Sequence, residues 1–339
     1  MAHPRLVWQS EDASLGAIEE ALRRTALQPA EAGAPTPPPR SRALTLVMVA
    51  DGEDERRADA AARLALRHPL RAILVARLPA DGGPALSARI RRHNHPGQGS
   101  AVIAEEVDLR VRGELADHLG QLLSPLLLSE LPAVFWWVGT PPLRSPVFAE
   151  LCQLCDRGVI ELRDPGDLAA VPDPGRIADV TWHRQAPWRD KVAGLFDPPD
   201  HRAAAGEVRS VEIAHGAAGG LGGHLLGGWI ASRLGLGPAA VRLREVEGAG
   251  AHGLTEAALT TGAGHTYRVR ASANGEYATC HRPDGRLPRV RLGALTVGEA
   301  MDHILAGPAD PLWPPALEAA RDIAAAGPRA AGAEPGGGR

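Results

Sequence analysis

Apolar residues near the start of the chain recur at helical spacing. Leu15, Ile18 and Leu22 would share one face of a helix whose opposite face is charged. Residues 29–40 contain five prolines, a composition typical of an extended spacer. We therefore predict an N-terminal helix within residues 1–28 that is free to dock at a distance from its neighbours in sequence.

A different pattern, in which extended and helical periods alternate, covers residues 41–165. Residues 44–50 form a continuous apolar run, whereas Val107, Leu109 and Val111 alternate with charged residues. The continuous run is typical of a buried strand, and the alternation is typical of a strand with one polar face. Helical stretches separate these runs, so we predict an N-terminal α/β domain here.

The alternation of strands and helices resumes after a segment rich in Pro, Asp and Gly. That segment, residues 166–206, has the composition of a connector. Beyond it, the periodicity predicts a helix at 221–234 between strands at 208–213 and 241–246. These elements indicate a second α/β domain, which we expect to span residues 207–324.

Two turn signals change the character of the second domain near its end. The dipeptides Asn274-Gly275 and Asp284-Gly285 separate short runs that are typical of strands, and both dipeptides favour tight hairpin turns. The predicted fold is therefore two layered α/β domains, the second with an antiparallel hairpin portion. Residues 325–339 are rich in Gly, Ala and Pro and are predicted to be a disordered tail.

Composition limits the classes of function. The 339 residues are 44% hydrophobic and 23% charged, which is typical of a globular protein of two domains. The formal net charge of −3 provides no global basic field for nucleic acid or an anionic membrane. Apolar stretches are interrupted by Pro and charged residues, so no membrane span is predicted. Three cysteines are too few for a disulfide framework and indicate the cytoplasm.

The strand predicted at residues 132–139 carries two adjacent tryptophans in a chain that has only three Phe and two Tyr. Successive side chains of a strand point to opposite faces, so Trp136 and Trp137 must point apart. One indole could then lie at the surface as an anchor for a partner protein. The alternative is a strand that is buried on both faces.

Further candidates for partner binding combine Trp and Arg, the residue types enriched at binding hot spots. They lie on or beside predicted strands or in the predicted connector: Arg71, Arg110, Arg112, Trp182, Arg184, Trp188 and Arg189. The structural alternative is that Trp182 and Trp188 hold the two domains together.

A Gly-rich segment offers an alternative function. It sits between a predicted strand and a predicted helix, and an acidic residue follows near the end of the next strand, an arrangement that resembles a dinucleotide-binding fingerprint. The residues concerned are Gly220, Gly222, Gly223 and Glu245. Leu225 stands where the fingerprint has Gly or Ala. The chain could thus be a nucleotide- or sugar-phosphate-binding enzyme or sensor, or the glycines could simply let the helix approach its sheet closely.

No catalytic set is evident. Cys152 and Cys155 have the spacing of a redox pair but lie inside a predicted helix at 148–156, where packing is the alternative role. The chain has neither a G-x-S-x-G elbow nor an H-E-x-x-H motif. We therefore expect a protein without catalytic residues, cofactor or metal.

Motifs spread along the chain resemble those of one family, the glucose-6-phosphate dehydrogenase assembly protein OpcA family of bacteria. The resemblance is carried by the order and spacing of residues 67–73, 105–113, 124–137, 181–189 and 228–235. It implies a non-enzymatic assembly factor and allosteric activator that binds glucose-6-phosphate dehydrogenase and supports the oxidative pentose phosphate pathway.

Overall fold

The chain folds into two compact units in a computed structural model. The first comprises Met1–Glu161 and Arg176–Asp179, and the second comprises Leu162–Gly175 and Val180–Arg339. The structure describes residues 5–27, 44–53, 60, 63–64, 70–81, 83, 85–96, 101–247 and 253–327. The predicted spacer at 29–40 and all but the first three residues of the predicted tail lie outside the described residues.

The first unit is built around one mixed sheet. Its described elements are β1 (Arg5–Ser10), α1 (Leu15–Leu27), β2 (Leu44–Asp51), β3 (Leu70–Leu78), β4 (Leu86–Pro96), β5 (Ala101–Arg112), α2 (Glu114–Asp117), α3 (Leu119–Leu123), β6 (Ala133–Trp137), α4 (Pro146–Leu154), β7 (Arg157–Ile160) and β8 (Ile177–Asp179). The sheet order is β1-β4-β5-β3-β2-β6-β7-β8. The six strands from β5 onward in this order are parallel, and β1 and β4 add antiparallel pairs at one side.

The centre of this sheet is buried on both faces. In β2 every residue from Leu44 to Ala50 is buried, and β6 is buried over its whole length. Parallel strands covered on both faces need apolar side chains in both directions, which explains the continuous apolar run of β2. The predicted layered α/β architecture is confirmed for this unit.

The first helix does not lie apart from the fold. Ile18 is fully buried, and the Arg92 guanidinium on β4 donates a hydrogen bond to the Thr25 carbonyl of α1. Ahead of the helix, β1 pairs with β4, and Arg89 forms an ion pair with Glu11 at 3.3 Å. The N-terminal segment is therefore part of the first unit, and the sequence prediction missed both β1 and β4.

The second unit also has one sheet, and helices pack against it. Its described elements are α5 (Val180–Arg184), α6 (Ala186–Gly194), α7 (Pro199–Arg202), β9 (Val208–His215), α8 (Gly220–Leu234), β10 (Val241–Glu245), β11 (Leu254–Thr261), β12 (Thr266–Ala271), β13 (Tyr277–Arg282), β14 (Gly285–Arg286), β15 (Val290–Arg291), α9 (Val297–Ala306) and α10 (Trp313–Ala326). Three helices thus lie in the segment predicted as a connector.

The sheet of the second unit combines parallel and antiparallel pairs. Strands β9 and β10 are parallel and are joined by α8, whereas β11, β12 and β13 continue the sheet on the other side of β9 through antiparallel pairs. Strands β14 and β15 both pair with β13. The predicted α/β unit with an antiparallel hairpin portion is confirmed, although β11 was not predicted.

The buried position of Ile18 gives a direct test of where α1 belongs. Changing Ile18 to Ala removes three carbon atoms from a site with no solvent exposure, and we expect a loss of about 2–4 kcal/mol in the free energy of unfolding. Chemical denaturation followed by circular dichroism measures it. The control is Glu19→Ala, on the exposed side of the same helix. Equal, small effects of both changes would mean that α1 is not part of the core.

Candidate functional site

The two adjacent tryptophans of β6 are both buried. Phe135 and Trp137 contact the Phe148 ring on α4, with ring centroids 5.4 and 6.3 Å apart, so they share one face of the strand. Trp136 therefore points to the other face, as the strand geometry requires. The exposed fractions of Trp136 and Trp137 are 6% and 1%. Neither indole is a surface anchor in this structure, and the alternative of a strand buried on both faces describes β6.

Arg71, another candidate for partner binding, is held inside the first unit. Its guanidinium lies 3.0 Å from the Glu105 carboxylate and donates a further hydrogen bond of 3.1 Å to the Leu126 carbonyl. Both charged side chains are at least nine-tenths buried. A buried guanidinium needs such partners to offset its loss of hydration. Arg71 thus ties β3 to β5 and is not available at the surface.

Arg110 and Arg112 remain closer to solvent. Arg110 forms an ion pair of 3.0 Å with Glu53 and is about a third exposed. Arg112 donates hydrogen bonds of 3.1 Å to the Pro79 and Asp81 carbonyls. These two arginines hold the loops at the carboxyl ends of β2 and β3, and a partner could still reach them.

A neighbouring arginine was missed by the sequence analysis. Arg77, near the end of β3, lies between two carboxylates, Asp51 on β2 and Asp117 on α2, and its guanidinium lies 5.7 Å from the centre of the Trp137 ring. The carboxyl ends of adjacent parallel strands meet at one edge of a sheet, so Asp51 and Arg77 could have been paired from their positions at the ends of two predicted strands.

The Trp and Arg side chains of the predicted connector form a buried cluster inside the second unit. The Arg189 guanidinium stacks 3.7 Å from the centre of the Trp182 ring, and the indole N–H of Trp182 donates to Asp310 at 2.8 Å. The Trp313 ring packs against that of Trp182 at 5.5 Å. Burial lowers the pKa of Arg189 to about 10, with Asp310 opposing the change. This cluster fastens α5 and α6 to the start of α10.

The remaining two candidates of that segment are also engaged. Trp188 is fully buried, and the Arg184 guanidinium donates a 3.0 Å hydrogen bond to the Leu295 carbonyl. These contacts of Trp182, Arg184 and Arg189 lie within the second unit. Their spacing in sequence therefore reflects the packing of this unit's core.

In the cysteine pair, Cys155 has the wrong environment for a reactive thiolate. Cys155 follows directly after the end of α4 and is buried, whereas Cys152 lies within the helix and is half-buried. Burial, with a smaller contribution from Asp156, raises the pKa of the Cys155 thiol to about 12. Redox-active cysteines depend on a lowered pKa, so this environment favours the packing role.

The glycines of α8 serve close packing. A Cβ on Gly228 would lie 2.3 Å from the Ala316 carbonyl oxygen of α10, and one on Gly227 would lie 2.9 Å from Val241 of β10. Before the helix, a Cβ on Gly219 would lie 2.3 Å from the Gly253 carbonyl oxygen. The helix thus touches its sheet and its neighbouring helix more closely than any other residue allows, and packing accounts for these glycines.

The residues of the proposed fingerprint lie where a βαβ unit places them. Gly220, Gly222 and Gly223 form the first turn of α8, and Glu245 is the last residue of β10 and is exposed. A Cβ on Gly223 would approach the His215 ring to 3.1 Å. The His215 imidazole therefore occupies part of the space beside Gly223 that a bound phosphate would need.

Two histidines at this turn were not predicted. His215 ends β9 and is hydrogen-bonded through Nδ1 to the Gly216 carbonyl, and His224 is bonded through Nδ1 to the Gly220 carbonyl. Burial lowers the pKa of His224, and the nearby His215 contributes to the same shift, so the neutral imidazole is favoured. Their position, at a strand end and one turn into the following helix, is the signal that could have found them.

The second sheet has one face that none of the helices in the described part of the chain covers. Gly227 of α8 faces Val241 and Ile213, and Phe196 stacks on Tyr267, so these elements lie on one side. We call the other side the open face. The strand register places on it Arg242, Arg244, Glu212, Glu256, Arg268, Arg270, Tyr277 and Arg291. The alternation of Arg268 and Arg270 with buried Tyr267 and Val269 signals this face in the sequence.

Within the described residues, no three His, Cys, Asp or Glu side chains gather closely enough to hold a metal ion. Among the helices that the structure describes, none has the length and apolar character needed to cross a membrane.

Comparison with protein families matches most of the chain. A family model for OpcA, described as the N-terminal domain of a glucose-6-phosphate dehydrogenase subunit, matches residues 59–171. A second OpcA model, described as the C-terminal domain of the same subunit, matches residues 175–311. The two matches follow each other along the chain in the order that their descriptions require.

Curated relatives of the chain carry the name OxPP cycle protein OpcA. One from Synechocystis sp. is 30% identical over 145 residues, which cover 40% of this chain and 30% of the relative. Another, from Synechococcus elongatus, is 32% identical, and the match covers 44% of this chain and 37% of the relative. A third, from Nostoc punctiforme, is 27% identical, and the match covers 50% of this chain and 39% of the relative. The chain thus spans between three and four tenths of the length of these relatives.

Two solved structures show a weaker likeness. A glucose-6-phosphate 1-dehydrogenase from Mycobacterium avium matches with a TM-score of 0.47 and 10% identity, covering 84% of this chain and 91% of that one. A UDP-N-acetylglucosamine 3-dehydrogenase from Acidithiobacillus ferrooxidans matches with a TM-score of 0.40 and 12% identity, covering 84% of this chain and 96% of that one. Likeness at this level says nothing about activity.

The burial of β6 predicts the effect of removing an indole. Trp137→Ala should lower the free energy of unfolding by about 3–5 kcal/mol, because the cavity cannot fully collapse. Trp136→Ala should also be strongly destabilising, since that side chain is buried too. Denaturant unfolding of each variant measures these effects, with the exposed Leu6→Ala as the control. A Trp136→Ala variant of normal stability that binds its partner protein poorly would restore the anchor interpretation.

The packing role of the α8 glycines predicts a contrast between two substitutions. Gly228→Ala places a methyl group into the backbone of α10, and we expect it to cost about 1–3 kcal/mol of stability or more. Gly237→Ala has nothing within 4 Å and an extended backbone that alanine also adopts, so it should leave stability almost unchanged. Thermal unfolding compares them. Similar melting temperatures would show that α8 and α10 are not in close contact.

Proposed function

The chain belongs to the OpcA family, whose two models are described as domains of a glucose-6-phosphate dehydrogenase subunit, and on that basis we propose that it acts on that enzyme. The role is that of a non-enzymatic assembly factor and allosteric activator in the oxidative pentose phosphate pathway. The observation that carries the proposal is the consecutive match of both family models, over 59–171 and 175–311.

The chemistry of the candidate residues supports a role without catalysis. Close packing accounts for Gly227 and Gly228 of α8, the His215 ring lies close to Gly223, and the thiol of Cys155 has a raised pKa. Arg71 and Arg189, which could have bound a phosphate group, are instead held by Glu105 and by the Trp182 ring. Arg71 and Arg189 thus have structural partners, which favours a binding protein over an enzyme.

We further propose that the protein works in the cytoplasm. All three cysteines are free, which suits a reducing compartment.

An assay of the purified chain with a purified glucose-6-phosphate dehydrogenase from the same source tests the function. The chain alone should not reduce NADP in the presence of glucose 6-phosphate. Added to the dehydrogenase, it should raise the specific activity to a plateau, because an activator that shifts a conformational or assembly equilibrium saturates when the enzyme is fully bound. Heat-denatured chain is the control.

Two results would contradict the proposal. One is NADP reduction by the chain alone that persists after trace dehydrogenase has been removed by affinity depletion. The other is the absence of both binding and activation at chain concentrations well above that of the enzyme. Sedimentation of the mixture, run in parallel, separates a change of the enzyme's oligomeric state from activation within an existing oligomer.

A further inference from the structure

Charged side chains line the open face of the second sheet, and the basic residues outnumber the acidic ones. Five arginines stand on its strands: Arg242, Arg244, Arg268, Arg270 and Arg291. All five are exposed. The described acidic residues of the strands on this face are Glu212 and Glu256. The face is therefore positive, although the chain as a whole has a formal net charge of −3.

The two glutamates neutralise only part of this charge. Glu256 is nearly buried between two arginines, with Arg268 at 3.2 Å and Arg270 at 2.9 Å from its oxygens. Glu212 lies 2.8 Å from Arg244. One carboxylate thus serves two guanidinium groups, and Arg268 and Arg270 remain 45% and 69% exposed as side chains. Each guanidinium has five N–H donors, more than one shared carboxylate can accept, so donors are left for a second carboxylate.

An aromatic ring adds a contact of a different kind at the edge of this face. Tyr277 is 38% exposed, one of two large apolar residues exposed to this degree in the described part of the chain. The Arg289 guanidinium lies 4.1 Å from the centre of its ring, and Arg291 pairs directly opposite Tyr277. Stacking on the ring holds the guanidinium in a fixed orientation. Tyr and Arg are among the residue types that dominate binding energy at protein interfaces.

A solvated polar face is common on antiparallel sheets, and there charges of both signs are usually mixed. Here the arginines outnumber the glutamates, and the exposed tyrosine lies among them. Exposed charges of one sign repel each other and add nothing to the stability of the chain. The stability of the chain therefore does not account for this excess of exposed arginines.

We propose that the open face is the surface that docks an acidic, carboxylate-rich patch of the partner dehydrogenase. The inference rests on the proposed function and adds to it the location of the interface on this chain. Guanidinium groups bind carboxylates through two parallel hydrogen bonds, which gives such an interface its orientation. The chain's formal net charge of −3 argues against a nucleic acid as the partner, and the proposed function supplies a protein partner.

If the open face binds the dehydrogenase, that binding should depend on salt concentration, and reversing two charges on the face should weaken it. Arg242→Glu combined with Arg291→Glu changes two exposed residues at opposite ends of the face. We expect the Kd for the dehydrogenase to rise about tenfold or more at low salt. The difference should shrink as salt is added, because screening removes the attraction that the wild type has. Biolayer interferometry at several salt concentrations measures both effects.

A matched control has the same change of charge elsewhere. Arg144→Glu combined with Arg233→Glu alters two arginines that are exposed but lie outside the open face. This variant should bind the dehydrogenase with nearly the wild-type Kd. A second variant, Tyr277→Ala, removes the ring without changing charge, and it should weaken binding while leaving the salt dependence unaltered. Melting temperatures of all variants confirm that they are folded.

The outcomes separate the docking surface from the function. Wild-type chain that fails to bind the dehydrogenase contradicts the proposed function and the docking surface with it. Wild-type binding that the open-face variant and the control share equally overturns the docking surface and leaves the function standing. Binding of duplex DNA or RNA by the wild type, lost in the open-face variant while dehydrogenase binding persists, would identify a nucleic acid as the occupant instead.

Discussion

The close approach of α8 to α10 is the constraint on which the second unit depends. Gly228 lies against the backbone at Ala316 and Ala320, and Gly227 lies against Val241 of the sheet. At Gly227 and Gly228, the backbone of α8 therefore contacts the sheet and α10 directly, with no side chain of α8 between them. Because the described helices and most of the large apolar strand residues lie on that side, the other face of the sheet is left largely to water, and charged side chains line much of it.

The first unit differs from the second, because the centre of its sheet is covered on both faces. Its central strands are buried on both faces, so each side chain of β2 and β6 must be apolar or must be paired. On the neighbouring β3, the ion pair of Arg71 with Glu105 is the consequence, since neither charge would be stable there alone. The two tryptophans of β6 likewise contribute to packing, and the charged candidates that remain accessible lie at the strand ends, as with Arg110.

The sequence predicts the elements better than it predicts the exposure of individual residues. Periodicity located β2, α8 and the hairpins of β12 and β13, because each has a clear apolar pattern or a turn signal. It missed β4, where the alternation of buried Leu86, Ala88 and Ile90 with polar residues is short and includes only the weakly apolar Ala88 at its centre. It also offered Trp136 and Arg71 as surface candidates, because whether a strand face is covered depends on elements that are distant in sequence.

Arginine, which supplies nearly all the positive charge of the chain, therefore has two distinct physical roles here. Arg189 is buried on the Trp182 ring and has a lowered pKa, so it is a component of the core. Arg242 and Arg270 stand on the open face, where their side chains are exposed and keep their hydration. Under the proposed function, such exposed charges would raise the rate of association with the enzyme. The location of an arginine relative to the helix layer, more than its presence in a motif, thus decides whether it is held in the core or is accessible to a partner.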